Sequence, residues 1–150
     1  MKKGLAAVWM LCSLLAAASG CAQQHSGLQD GYYTAETADF DADGWKEYIT
    51  IYICDNRIIT AEYDAYNASG MVKSWDIEYM RAMKAADGSY PNEYTRAYVQ
   101  ALVDRQDPAE VHGVTGATNS YKLFLLLVQA VMEKAKSGDN QIALVKPLTH

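Results

Sequence analysis

Positive charge is scarce in this chain of 150 residues: thirteen Lys and Arg stand against eighteen Asp and Glu, for a formal net charge of −5. Such a balance argues against nucleic acid and anionic lipid head groups as partners. Apolar segments long enough to span a bilayer are missing as well. Leu5 to Ala17 falls short of the roughly 20 residues a membrane-spanning helix needs, and Leu123 to Val128 is shorter still and reads as core. There are no internal repeats and no low-complexity tracts. Phenylalanine is nearly absent, two residues against eleven tyrosines, so the aromatic surfaces carry polar tips. What is present, half hydrophobic and 21% charged, is the composition of a folded protein, and the length suits one domain with a real core.

The N-terminus is set apart from that domain. Lys2 and Lys3 form a positive region, Leu5 to Ala17 an apolar one, and Ala18-Ser19-Gly20 a small-residue cleavage site, the anatomy of a secretory signal. Ala18-Ser19-Gly20-Cys21 resembles the lipobox of bacterial lipoproteins, with Ala18 where leucine is usual. The resemblance implies that Cys21 is lipidated and becomes the mature N-terminus, and attached acyl chains such as palmitate hold a protein at a membrane surface without spanning it. Residues 1–20 are therefore expected to be a lipoprotein signal peptide, 21–29 a lipidated end and polar tether, and 30–150 the folded domain. Cys12 leaves with the signal and Cys21 carries lipid. Cys54 alone remains, which excludes an internal disulfide and suits a small buried strand residue. Losing Lys2 and Lys3 takes the formal charge from −5 to −7.

Hydrophobic periodicity outlines the domain. Ile49, Ile51 and Ile53 alternate with Tyr48, Thr50 and Tyr52, Asp55-Asn56 makes a turn, and Ile59, Ala61 and Tyr63 continue the alternation, which predicts a hairpin from Trp45 to Tyr66. Val72, Trp75, Tyr79 and Met83 predict a helix through about Ala86, closed by Asp87-Gly88. A second helix is expected from Pro91, with Tyr94, Tyr98, Ala101, Leu102 and Arg105 on one side, ending at Asp107-Pro108. The third and strongest runs from about Asn119 to Lys136, with Leu123, Leu127, Val131 and Ala135 on one face. A late strand is expected over Gln141 to Val145. The fold class is α+β, a small antiparallel sheet packed by helices in a single domain.

The segment Gly113-Val114-Thr115-Gly116-Ala117-Thr118 leads into that third helix. A helix N-terminus offers unpaired backbone N–H groups and the positive end of the dipole, a ready site for a phosphate, and Gly116 lets the backbone approach closely. Thr115, Thr118 and Asn119 are equally good N-cap residues, so ordinary capping explains the same stretch.

Taken with Asp30-Gly31-Tyr32-Tyr33, Asp41-Ala42-Asp43-Gly44-Trp45-Lys46-Glu47, Glu62-Tyr63-Asp64, Gly70 and Lys73-Ser74, the segment Val114-Thr115-Gly116-Ala117-Thr118 resembles the FMN-binding domain family. That family occurs within the sodium-pumping NADH:quinone reductase, within the Rnf complex and in small bacterial lipoproteins. The resemblance covers most of the chain after the tether. It implies FMN joined by a phosphoester to the last threonine of an Asp-x-x-Ser/Thr-Gly-Ala-Thr motif, installed outside the cytoplasm by a transferase that uses FAD and magnesium. The acceptor is then Thr118, with Thr115, Gly116, Ala117, Gly113, Asn119 and Lys73 as further cofactor-binding residues. His112 stands at the family's acidic position, and a mostly neutral histidine cannot reproduce a carboxylate's charge or its acceptor-only hydrogen bonding. As a lone histidine in a loop it reads as a hydrogen-bonded or solvated residue, and no catalytic residue is assigned.

The resemblance implies an extracytoplasmic, membrane-anchored electron carrier rather than a stand-alone enzyme, its partners being the flavin transferase and a redox donor and acceptor. The alternatives are a non-redox surface binding lipoprotein that kept the fold and reversible FMN binding. Asp39-Phe40-Asp41-Ala42-Asp43-Gly44 matches the first half of a calcium loop, but Thr50 stands where the closing glutamate belongs, so a turn is expected there and no metal.

Overall fold

The computed structural model describes residues 27–146. The expected signal peptide, the expected lipidation site Cys21 and the expected tether as far as Ser26 lie outside the described residues. Four strands and three helices make a single α+β domain: β1 (Gly31–Thr37), β2 (Trp45–Cys54), β3 (Arg57–Asn67), α1 (Ile77–Asp87), α2 (Pro91–Arg105), α3 (Thr118–Ser137) and β4 (Ala143–Val145). The strand order is β3-β2-β1-β4. β1, β2 and β3 are antiparallel neighbours, as expected, while β4 runs parallel to β1, pairing Ala35 with Ala143, so the sheet is mixed at that edge. The 20-residue helix α3 carries the chain back along the sheet, which is the crossover that parallel pairing requires.

The hairpin forms as its sequence dictates. Asp55 and Asn56 both adopt positive φ, 51° and 59°, the geometry of a two-residue turn whose twist matches the flanking strands. Trp45, Glu47, Ile49, Ile51 and Ile53 of β2 all point inward. On β3 the register slips between Tyr52 and Ile53, so that Ile53 pairs with Ile58 and Tyr52 with Thr60. Ile59 is the extra residue of this bulge, and it is exposed while Ile58 is buried, reversing the expected alternation there. Cys54, at the last position of β2, is only half-buried rather than a core residue. Periodicity does not mark β1, yet Tyr33, Ala35 and Thr37 all face the core.

The first helix differs most from expectation. Val72 makes an isolated bridge with Tyr66, residues Lys73–Trp75 form a single 3₁₀ turn, and α1 starts only at Ile77. Asp76 breaks the run by accepting a hydrogen bond from the Tyr79 N–H, the role its short acceptor side chain fills best. Trp75 is exposed and α1 contains no buried residue. α2 and α3 behave as expected. Pro91 opens α2, and Gln106 beyond its end clasps β3, with its amide accepting from the Ile58 N–H and donating to the Ile58 carbonyl, both at 2.8 Å. α3 buries Leu123, Phe124, Leu127, Val128, Val131 and Ala135 against the sheet. At about 1.5–3 kcal/mol for each fully buried large apolar side chain, this face dominates the packing. No helix among the described residues is long and apolar enough to cross a membrane.

Candidate functional site

At the end of the sheet where β2 begins, the chain leaves a cleft of about 390 Å³ between the loop before β2, helix α1 and the first turn of α3. That volume lies in the range of small-molecule sites. Each wall is fixed by local chemistry. The Asp41 carboxylate accepts from the N–H groups of Asp43 (3.0 Å) and Trp45 (2.8 Å), which folds the calcium-like stretch into a turn that directs the chain into β2. Strand alternation then turns Glu47 inward, and its N–H donates to the Thr37 hydroxyl at 3.2 Å.

The floor carries opposite charges. Glu47 is 7% exposed and Lys73 is 6% exposed. The Tyr63 hydroxyl hydrogen-bonds the Glu47 carboxyl, and its oxygen also sits 2.9 Å from the carbonyl of Ser120 in the first turn of α3. Burial pushes the Glu47 carboxyl up to about 7, against the opposing pull of the Lys73 ammonium and the Tyr63 hydrogen bond; Asp41 and Asp64 add to the rise. Tyr63 itself is held well above its ordinary value by burial and the adjacent carboxylate. Lys73 Nζ lies 4.9 Å from the Tyr79 ring centroid and 5.5 Å from that of Trp45, a cation between two aromatic faces. Among the described residues no carboxylate lies within ion-pair distance of it. Its backbone is held by Asp64, whose buried carboxylate accepts from the Ser74 N–H at 3.2 Å.

The third wall is the start of α3. Its N-cap is Ala117, which has no side chain able to accept from the first turn, and that turn contains no acidic residue. Neither Thr115, Thr118 nor Asn119 serves as the cap, so the capping explanation of this stretch does not hold. Thr118 occupies the first helical position and is exposed to the cleft. The approach loop is clamped from behind: the Tyr98 hydroxyl accepts from the Val114 N–H at 3.2 Å, and the Tyr121 hydroxyl donates to the Val111 carbonyl at 2.7 Å. Gly116 has φ of 84°, and a Cβ there would overlap the carbonyl oxygen of Asp87. Only glycine permits the loop to lie against the C-terminus of α1.

Of the residues singled out by sequence, Thr118, Gly116, Ala117, Asn119 and Lys73 all line this cleft. Gly113 and Thr115 do not: Gly113 packs beside the Tyr121 ring, which a Cβ would meet at 3.0 Å, and Thr115 is exposed. His112 is exposed outside the lining. Sequence reasoning passed over Glu47, Tyr79, Met83, Asp87 and Ser120, which complete the walls. Glu47 had a signal, being the one charged residue in the inward register of β2. Asp87 and Ser120 had none, because they share the cleft only through the approach of the loop at Gly116 to the end of α1.

No protein-family model matches the chain. The crystal structure of a Clostridium perfringens protein is similar, with 33% sequence identity and a TM-score of 0.76 over 79% of this chain and 98% of that one. A Clostridium thermocellum protein solved by NMR is 26% identical with a TM-score of 0.48. A protein of Treponema pallidum (strain Nichols), the 15 kDa lipoprotein, is 33% identical over 116 residues, 77% of this chain and 82% of its own length. The chain belongs to the family of that 15 kDa lipoprotein.

Proposed function

We propose that this protein is a lipoprotein anchored through Cys21 on the extracytoplasmic face of a membrane, carrying FMN esterified through its phosphate to Thr118 and passing electrons between redox partners. The observation that carries the reading is the meeting, in one cleft, of an uncapped helix N-terminus bearing Thr118 with the buried Lys73 ammonium that lacks a carboxylate partner among the described residues. Both features supply positive potential where a phosphate would lie. The resemblance of Val114 to Thr118 to the acceptor motif supports the same assignment, and the relative's being a lipoprotein supports the anchor.

The residues present fit the group: first-turn N–H groups for the phosphate, Ala117 and Gly116 without bulk at the approach, and Tyr79 and Met83 as apolar wall for a flat ring. Bound flavin supplies one- and two-electron redox chemistry. This chain anchors and orients it, and Lys73 favours negative charge in the cleft.

A flavin transferase, FAD and magnesium are then required partners. The mature protein produced with that enzyme is expected to keep yellow colour and a flavin mass increment after denaturation, and Thr118→Ala to lose both. Colour released on unfolding would support reversible binding instead. His112→Asp is expected to raise the flavinylated fraction by restoring the acid of the motif. One observation favours the non-redox reading: Asp41, Asp43, Glu47 and Asp87 all line the cleft against the single cation Lys73. A protein that stays colourless beside an active transferase would decide for it.

A further inference from the structure

The hydrogen-bond pattern around Glu47 is incomplete for an ionised carboxylate. A phenol has one proton, yet the Tyr63 oxygen faces two acceptors, the Glu47 carboxyl and the Ser120 carbonyl. All three are satisfied when Glu47 carries a proton, donating to the Tyr63 oxygen while Tyr63 donates to Ser120. With Glu47 ionised, Tyr63 must choose, and one acceptor goes without. We propose that Glu47 is the proton-holding residue of the cleft, binding a proton at its carboxylate when electrons arrive on the flavin and releasing it when they leave. This rests on the reading of Thr118 as the flavin site.

The surroundings suit that role. Glu47 lines the same cleft as Thr118, so added negative charge there acts on it through low-dielectric protein. The groups facing it are Lys73 from the 3₁₀ turn, Tyr63 and Asp64 from β3, Asp41 from the turn before β2, and Tyr94 and Tyr98 from α2, with Asp43 and Asp87 on the rim. Lys73 alone favours the ionised form by charge. Burial poises the Glu47 titration near neutrality, where an added charge in the cleft changes its proton occupancy most. The balance is complete: for each two electrons given up by a reduced external carrier and taken by the ring with one proton from water, Glu47 forms an O–H bond with a second proton from water. Both protons return to solvent as an oxidised carrier removes the electrons.

The test is redox titration of the flavinylated protein between about pH 7 and pH 9, with flavin content verified by mass. In the wild type two protons accompany two electrons, and in Glu47→Gln one does. The variant is expected to lose a tenfold change in the reduction equilibrium per pH unit, about 30 mV for a two-electron couple. Tyr63→Phe keeps the ring packing and the carboxyl but removes the hydroxyl that hydrogen-bonds the Glu47 carboxyl, so the inflection is expected to shift. Identical pH slopes in wild type and Glu47→Gln, with Tyr63→Phe also unchanged, would overturn the assignment of Glu47 while leaving flavin at Thr118 intact. Absence of flavin from the wild type would overturn both.

Discussion

Glu47 occupies a position on β2 where every other inward neighbour is apolar, Trp45, Ile49, Ile51 and Ile53. Its carboxyl is raised from 4.5 to about 7 by burial, so the native state binds more protons than the unfolded chain between those values. Stability is therefore fully present below about pH 4.5 and falls as pH rises toward 7, by an amount on the order of 3 kcal/mol. Urea unfolding of the wild type should show this decline, and Glu47→Gln should flatten it. Gly116 sets a second constraint of the same scale. An alanine there faces both a left-handed φ of 84° and an overlap with the Asp87 carbonyl oxygen. Gly116→Ala is expected to lose about 2–4 kcal/mol in chemical denaturation, since the obstacle is backbone and cannot swing aside. The glycine was legible in the sequence as a place of close approach. What it approaches, the end of α1, was not, because residue types carry no record of a neighbour brought by the fold.

Helices α1 and α3 respond differently to the same kind of pattern. Both show apolar residues at helical spacing, but α3 buries six side chains and α1 none. Val72, Trp75, Tyr79 and Met83 fit one helical face, yet Asp76 interrupts it and Asp64 draws the Lys73–Trp75 turn onto β3. The local competitor won because a short carboxylate can satisfy the N–H groups of a new helix start. Native-state hydrogen exchange should find the α1 amides opening at much lower free energy than those of α3, whose opening approaches global unfolding. Asp76→Ala is expected to lower the α1 protection further, by about 1 kcal/mol, without changing α3. Comparable protection in the two helices would contradict this account. The bulge at Ile59 teaches the same lesson in a strand: alternation located the hairpin and its turn, while the slip that puts Ile58 inside comes from pairing against Ile53.

Across the whole molecule, the cleft and the chain's entry lie at opposite ends of the sheet. Gly27 and Leu28 sit against Asn56 in the β2–β3 turn, with the Leu28 N–H donating to its side chain at 2.6 Å. The cleft lies at the other end of β2, about 30 Å away for a ten-residue strand. The α+β class, the hairpin and its turn, the opening of α2 at Pro91, the approximate start of α3, and Gly116 and Thr118 at that start are legible in the chain alone, because each follows from periodicity or φ preference within a few residues. The parallel pairing of β4 with β1, the uncapped start of α3 at Ala117, and the sharing of one cleft by Glu47 and Thr118, distant in the chain, emerge with the tertiary fold. Those outcomes depend on packing between elements, where burial and register choose among local possibilities that the sequence leaves open.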